Sequence, residues 1–132
     1  MSWINDTVAD FGRQLGMPQL NLGEHGVMQL AFASGGLLAV EPVQRGGQDE
    51  VLVYLARPVG HQAPALVRVA LAKAHLAQGG PWPVQLALRG SGPDAMLIAL
   101  VRLPQRAFTQ QALSQAVDYL TRWLDEVQAG QR

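Results

Sequence analysis

Histidine is the side chain that most often binds metals or transfers protons at neutral pH, and this chain has three: His25, His61 and His75. His61 and His75 belong to one predicted helix, where their spacing corresponds to about 21 Å along the axis. They cannot bind the same metal ion. His25 lies in a predicted loop, where a solvated imidazole is the simplest interpretation. The chain contains no cysteine, which excludes thiol catalysis, disulfides and cysteine zinc sites.

The other residue types capable of chemistry are dispersed. Ser91 lies between glycines in RGSGPD, but it links two predicted strands, whereas a nucleophile elbow joins a strand to a helix. The segments RGGQ and SGG are too short for a phosphate-binding loop. The closest carboxylates are Asp6 with Asp10, Asp49 with Glu50, and Asp125 with Glu126, all in positions typical of solvated surfaces. The sequence therefore predicts neither an enzyme nor a cofactor, and association remains as the expected chemistry.

Composition supports association with proteins and argues against nucleic acid. Ten basic and ten acidic residues give a formal net charge of zero, and the basic residues form no patch. Hydrophobic residues make up 48% and charged residues 15%, below the roughly 25% usual in soluble domains. No signal peptide and no apolar run of about 18 residues is present, so we expect a cytoplasmic protein without an integral membrane segment. The length predicts one domain, residues 1–132.

Hydrophobic periodicity predicts an α+β fold in the order α-β-β-β-α-β-β-α, with an antiparallel sheet packed against helices. The final helix begins after Thr109 as N-cap, with Phe108 and Leu113 at the spacing of a hydrophobic staple. The earlier predicted helices cover about 3–15 and 61–78, and the predicted strands cover about 28–32, 38–41, 51–56, 84–88 and 95–103.

Two of these elements are more apolar than one packing face requires. The second helix has apolar residues on two sides, and the last strand is apolar on both faces, which is typical of a central strand or one under an interface. In the first helix, Val8, Phe11 and Leu15 are the expected core anchors. Trp3 and Ile4, nearest the chain end, are the residues expected to touch another chain.

The opening residues resemble a known family. The pattern MSWIxxxxxxFxxxLGxP resembles the start of SycN-type chaperones of type III secretion systems. The same family is resembled by the element order, the segment LARP after the third strand and the leucine-rich last helix. The order is shared by the wider class typified by SycE and CesT. The resemblance implies a non-enzymatic cytoplasmic chaperone without cofactors, which binds the extended N-terminal segment of a secreted client without ATP. It could also associate with the cytoplasmic face of the inner membrane at the secretion apparatus.

The resemblance further implies partners. SycN-like chaperones pair with a second small chaperone, YscB, to hold a YopN-like gatekeeper protein, although a homodimer is also possible. We expect client contacts from the first helix and adjoining strands: Trp3, Ile4, Val8, Phe11, Met28, Leu30, Phe32 and Leu38. We expect the dimer interface on the second helix and fourth strand: Leu66, Val67, Val69, Leu71, Trp82, Val84, Leu86 and Leu88.

The sequence is compatible with two other functions. One is a small-molecule-binding or catalytic α+β domain with Trp82 or Tyr54 in the wall of its pocket. The other is an interaction module unrelated to secretion. For the proposed client residues, a regularly spaced apolar stripe is more often core than binding site, so we expect about half of them to serve the core alone.

Overall fold

The computed structural model describes residues 2–17, 20–23, 26–45, 47–76 and 82–129. It confirms the predicted α+β class and element order. The elements are α1 (Ser2–Gln14), β1 (Met28–Ala31), β2 (Leu37–Arg45), β3 (Gln48–Pro58), α2 (Ala63–Leu76), β4 (Gln85–Arg89), β5 (Met96–Pro104) and α3 (Gln110–Ala129). His61 lies in a 3-10 turn that precedes α2, and Gln78, the predicted end of that helix, lies outside the described residues.

The five strands form one antiparallel sheet in the order β1-β2-β3-β5-β4. β2 and β3 pair along the whole length of β2, and β5 lies between β3 and β4. The strand that is apolar on both faces is therefore an inner strand, as predicted. β1 is short and pairs only with residues 37–40 of β2. Pro42, which has no N–H to donate, follows this paired segment.

The two faces of the sheet differ. Successive side chains of a strand point to opposite faces, and on one face they are buried beneath the helices and form the core, as Val53 and Val101 do. The alternate side chains, such as Tyr54 and Leu100, lie on the face that no described helix covers. We refer to this second side, represented by Leu37, Glu41, Leu52, Tyr54, Arg89, Met96, Ile98, Leu100 and Arg102, as the bare face.

α1 packs tightly against the chain that follows it. Gly12 is buried, and a Cβ atom there would lie 2.5 Å from the carbonyl oxygen of Met17 and 2.7 Å from the Cβ of Leu20. The helix ends where Gly16 adopts a φ of +78°, a conformation that other residues rarely adopt. This close return of the chain fixes the C-terminal end of α1 above the sheet.

α3 begins as the sequence predicts. The N–H of Ala112 donates to Oγ1 of Thr109 at 3.0 Å, and both staple residues, Phe108 and Leu113, are buried. The helix then buries its apolar stripe against the sheet and the other two helices. In the described part of the chain, no helix has the length and hydropathy that a membrane crossing requires.

Candidate functional site

A groove of about 540 Å³ lies between the C-terminal half of α1, the first half of α3 and the β1–β2–β3 side of the sheet. Its apolar floor and walls are Phe11, Leu15, Leu30, Phe32, Leu38, Leu55 and Val117. Gln14 closes one wall, because Nε2 of Gln110 and Oγ of Ser114 both donate to its Oε1, at 2.8 Å and 3.3 Å. The groove is thus an apolar depression held open between two cross-linked helices.

One end of the groove is polar and carries Arg57. Its Nη1 donates to Oδ1 of Asp125 at 2.6 Å and to Oε1 of Gln128 at 2.8 Å, and its Nη2 donates to the carbonyl oxygen of Thr121 at 3.4 Å. Asp118 also lines this end and has no ion pair among the described residues. The positive charge is therefore neutralised from within the molecule, whereas one carboxylate on the groove wall is not.

The groove adjoins a free sheet edge. The N–H of Phe32 donates to the carbonyl oxygen of Gly36 at 2.9 Å, which makes this a hydrogen-bonded pair of the β1–β2 hairpin. Such pairs alternate along an antiparallel ladder, so Leu30 is also hydrogen-bonded to β2. The main-chain groups of Gln29 and Ala31 therefore point away from β2. Because β1 is the terminal strand of the described sheet, these groups form an open edge.

A second apolar surface lies at the opposite side of the sheet, on α2 and β4. Lys73 pairs with Glu126 of α3 and its Nζ lies 5.7 Å from the ring centroid of Trp123, so this flank of α2 faces α3. The flank turned away from α3 carries Val67 and Leu71. Leu71 is 57% exposed, and Leu88 of β4 is 50% exposed.

Comparisons with known proteins decide the family. The model of the type III secretory system chaperone SycN matches residues 3–128. This chain belongs to that family. The structure of the HopA1-SchA chaperone-effector complex shares 18% identity with a TM-score of 0.63, covering 92% of this chain and 89% of the other. The Yersinia pestis chaperone SycH, solved with a fragment of YscM2, shares 12% identity with a TM-score of 0.67, covering 94% and 98%.

A third structure agrees with this fold. The ExsC-ExsE complex contains a chain that shares 17% identity and a TM-score of 0.65, with coverage of 99% of this chain and 92% of the other. No curated protein sequence matches this chain significantly. The protein is accordingly a type III secretion chaperone, and it is not an enzyme, since the family consists of chaperones. Among the described residues no group of histidine and acidic side chains could hold a metal ion.

The eight predicted client residues fall into three groups by burial. Trp3 and Phe32 are 44% and 39% exposed, and Leu30 is half-buried beside Phe32. Phe11 and Leu38 are buried but line the floor of the groove. Ile4, Val8 and Met28 are completely buried in the core and in this conformation are closed to a client. Ile4 is thus a core residue, contrary to the expectation that it touches another chain with Trp3.

Leu15 is the groove residue that sequence reasoning assigned to the core. It is 50% exposed and lines the groove. The four-residue step from Phe11 predicts a shared helical face, and the N–H of Leu15 does donate to the carbonyl oxygen of Phe11 at 3.2 Å. Leu15 is the last residue of this stripe and borders the groove beside Phe11 instead of entering the core. The glycine at position 16 is the sequence signal of that helix end.

The eight predicted interface residues also differ in how deeply they are buried. Leu66 is fully buried in the core, and Val69, one turn before Lys73, lies half-buried on the flank of α2 that faces α3. Val67, Leu71, Val84, Leu86 and Leu88 remain at least partly exposed on α2 and around β4. The ring of Trp82 packs edge-on against Tyr119, with centroids 5.6 Å apart. Tyr54 lies on the bare face and Trp82 packs against α3, and neither of them lines the groove.

Proposed function

We propose that this chaperone binds the N-terminal segment of a secreted protein in extended form, using the groove and the free edge of β1 together. The observation that carries the proposal is that the groove and the free edge of β1 adjoin each other. Leu30 belongs to β1, Phe32 follows it directly, and both line the groove. A client strand can then pair with one element and insert its side chains into the other. No ATP is needed, since the segment is held by burial and main-chain hydrogen bonds.

The geometry defines what such a client needs. A strand added beside β1 forms hydrogen bonds with the main chain of Gln29 and Ala31. Its side chains alternate between the two faces of the extended sheet, so every second one lies beside the groove. Apolar residues at these alternate positions would bury against Phe32 and Leu15, and a basic residue would complement Asp118. The client motif is therefore an alternating apolar segment with one Lys or Arg.

We further propose that the chaperone acts in the cytoplasm as one subunit of a heterodimer with a YscB-like chaperone, holding a YopN-like gatekeeper. A homodimer through the same surface is the alternative assembly. The proposed interface is the outer flank of α2 with the β4 edge, where Leu71 and Leu88 expose half or more of their side chains. Leucines this exposed on adjoining elements are typical of an association surface. We propose that association with the membrane face at the secretion apparatus follows from the client that the chaperone holds.

The experiment is purification of the tagged chaperone from its native cell, followed by mass spectrometry of the proteins that co-purify. Wild type should retain a secreted protein and a second small chaperone. Phe32→Glu should lose at least about 90% of the secreted protein but keep the small chaperone, and Leu71→Glu should lose the small chaperone. Asp49→Lys, an exposed charge reversal on β3 away from both β1 and the α2–β4 surface, is the control. Co-purification of a metabolite alone, or of neither protein, would contradict the proposal.

A further inference from the structure

α3 contributes a line of polar side chains to the groove, at steps of four and three residues. Ser114, Asp118 and Thr121 all line it. Oγ of Ser114 donates to Oε1 of Gln14 at 3.3 Å, and Oγ1 of Thr121 donates to the carbonyl oxygen of Val117 at 2.7 Å. The Asp118 side chain has neither an ion pair nor a hydrogen bond among the described residues. Its exposed carboxylate is therefore the group of this line that is left for a ligand.

The amide of Gln14 lines the groove from α1 and is held in place by α3. Its Oε1 accepts from Nε2 of Gln110 at 2.8 Å and from Oγ of Ser114, which uses both acceptor positions of a carbonyl oxygen. The two N–H groups of its Nε2 have no partner within the part of the chain that the structure describes. Because the amide is planar and its oxygen is fixed, these donors have a defined orientation at the wall of the groove.

The spacing of the Gln14 amide and the Asp118 carboxylate matches that of an extended peptide. Ser114, which holds the Gln14 amide, precedes Asp118 by four residues, or about 6 Å along α3. Side chains at alternate positions of a strand are about 6.7 Å apart. An extended segment that lies along α3 can therefore place one side chain at the amide and the next but one at the carboxylate. Phe11 and Val117, on the same two helices, add apolar contact area.

We infer that the groove recognises two polar side chains of the client at alternate positions, a neutral hydrogen-bond acceptor bound by Gln14 and a Lys or Arg bound by Asp118. The inference rests on the proposed function, to which it adds a sequence requirement. Asn, Gln, Ser and Thr fit the first position, because Asp118 disfavours a carboxylate about 6 Å away. Arg57 is already paired with Asp125 and does not offset this charge. Apolar contacts supply affinity, whereas the polar pair distinguishes one apolar segment from another.

Selection from random peptides displayed on phage tests this requirement, with the immobilised full chain as the target. Peptides that bind wild type should carry a neutral acceptor two residues from Lys or Arg more often than at any other spacing. Asp118→Lys should change the preference at the basic position to Asp or Glu. Gln14→Glu keeps an oxygen for Gln110 and Ser114 but removes the donors, so Lys or Arg should replace the neutral acceptor. Asp49→Lys, an exposed charge reversal outside the groove, is the control and should select as wild type does.

Phe32→Glu separates this inference from the proposed function. The selected peptides should fail to bind this variant, because Phe32 lines the groove. Binding lost in Phe32→Glu, together with preferences unchanged in Asp118→Lys and Gln14→Glu, would overturn the inference and leave the proposed function standing. Peptides that still bind Phe32→Glu, or a library that yields no binding peptide, would contradict the proposed function and the inference with it.

A selected peptide, synthesised with a fluorescent label, tests the spacing. Moving its Lys or Arg by one residue turns that side chain to the opposite face and should weaken binding to wild type at least about tenfold. Asp118→Asn should weaken binding of the original peptide by a similar factor, but it should leave binding of the shifted peptide unchanged, since that peptide has no such pair to lose. Thermal unfolding checks that every variant folds. Equal affinities of the original and shifted peptides for wild type would overturn the inference.

Discussion

The ring of Trp3 lies against the ring of Phe108, with centroids 6.3 Å apart and planes inclined by 59°. Phe108 is 2% exposed, whereas Trp3 is 44% exposed and its neighbour Ile4 is completely buried. The contact ties the first turn of α1 to the start of α3 while leaving nearly half of the tryptophan accessible. Ile4 is therefore a core residue, whereas Trp3, the residue before it in the same helix, is a surface residue.

Alanine substitutions of Ile4 and Trp3 should reduce stability by different amounts. Ile4→Ala should lower the free energy of unfolding by about 2 to 5 kcal/mol, because it leaves a cavity in the core. Trp3→Ala removes an aromatic pair worth about 0.5 to 1.5 kcal/mol together with a half-exposed burial, and should therefore cost less than Ile4→Ala. Urea unfolding measures both values. Equal losses for the two variants would contradict the assignment of Ile4 to the core.

Gly12→Ala should destabilise the chaperone even though alanine is the better helix former. A Cβ atom there meets a main-chain oxygen at 2.5 Å, so the backbone after α1 has to move. We expect a loss of about 2 kcal/mol or more in thermal unfolding. Gly23→Ala is the matched control, since its Cβ would be 3.5 Å from the nearest atom, the carbonyl oxygen of Val27. An increase in the melting temperature of Gly12→Ala would refute this packing.

Arg57→Gln should weaken the polar link between β3 and the C-terminal half of α3. Arg57 joins Asp125, Gln128 and the Thr121 carbonyl, but the Asp125 side chain is 60% exposed and screened by water. The expected loss in unfolding free energy is therefore only about 0.5 to 1 kcal/mol, and it should shrink at about 1 M salt. Arg68→Gln, an exposed arginine with no ion pair in the described part, should cost nothing measurable. A loss for Arg57→Gln that is independent of salt would argue against an electrostatic role.

Tyr54 should make stability sensitive to alkaline pH. Burial, and then the negative charge and hydrogen bond of Glu41, raise the pKa of Tyr54 above 10.0, although Arg89 partly offsets this. The unfolded chain therefore loses the phenolic proton first, so the contribution of Tyr54 is complete below about pH 10 and is lost as the pH rises through the folded pKa. Between about pH 9 and pH 11, Tyr54→Phe should lose less stability than wild type in urea titrations. A profile for Tyr54→Phe that is identical to that of wild type would contradict the prediction.

Much of the fold could be predicted because hydrophobic period and caps are local. The helical steps of α1, the alternation in β5 and the Thr109 cap all depend on residues a few positions apart, and each is confirmed. The depth of a side chain depends on what lies above it. The helical period cannot tell that Ile4 lies in the core or that Leu15 borders the groove. It also cannot show that the second apolar face of β5 lies uncovered.

The candidate site was predictable only in part, for the same reason. The sequence indicated the region of the groove through Phe32 and Leu30, but Leu55 and Val117 join it only because β3 and α3 pack together. Arg57 gave no local signal, because its partners lie 64 to 71 residues away in sequence. The free edge of β1 follows from the strand order, which the meander alone does not determine.

The most direct test of the central claim is amide hydrogen exchange at β1, with and without the N-terminal segment of the secreted protein that co-purifies with the chaperone. In the free chaperone, the amides of Gln29 and Ala31 point away from β2 and should exchange rapidly, whereas that of Leu30 should be protected. Addition of the client segment should protect Gln29 and Ala31 at least about tenfold by pairing a strand with them. Protection confined to α2 and β4, with β1 unchanged, would contradict the account.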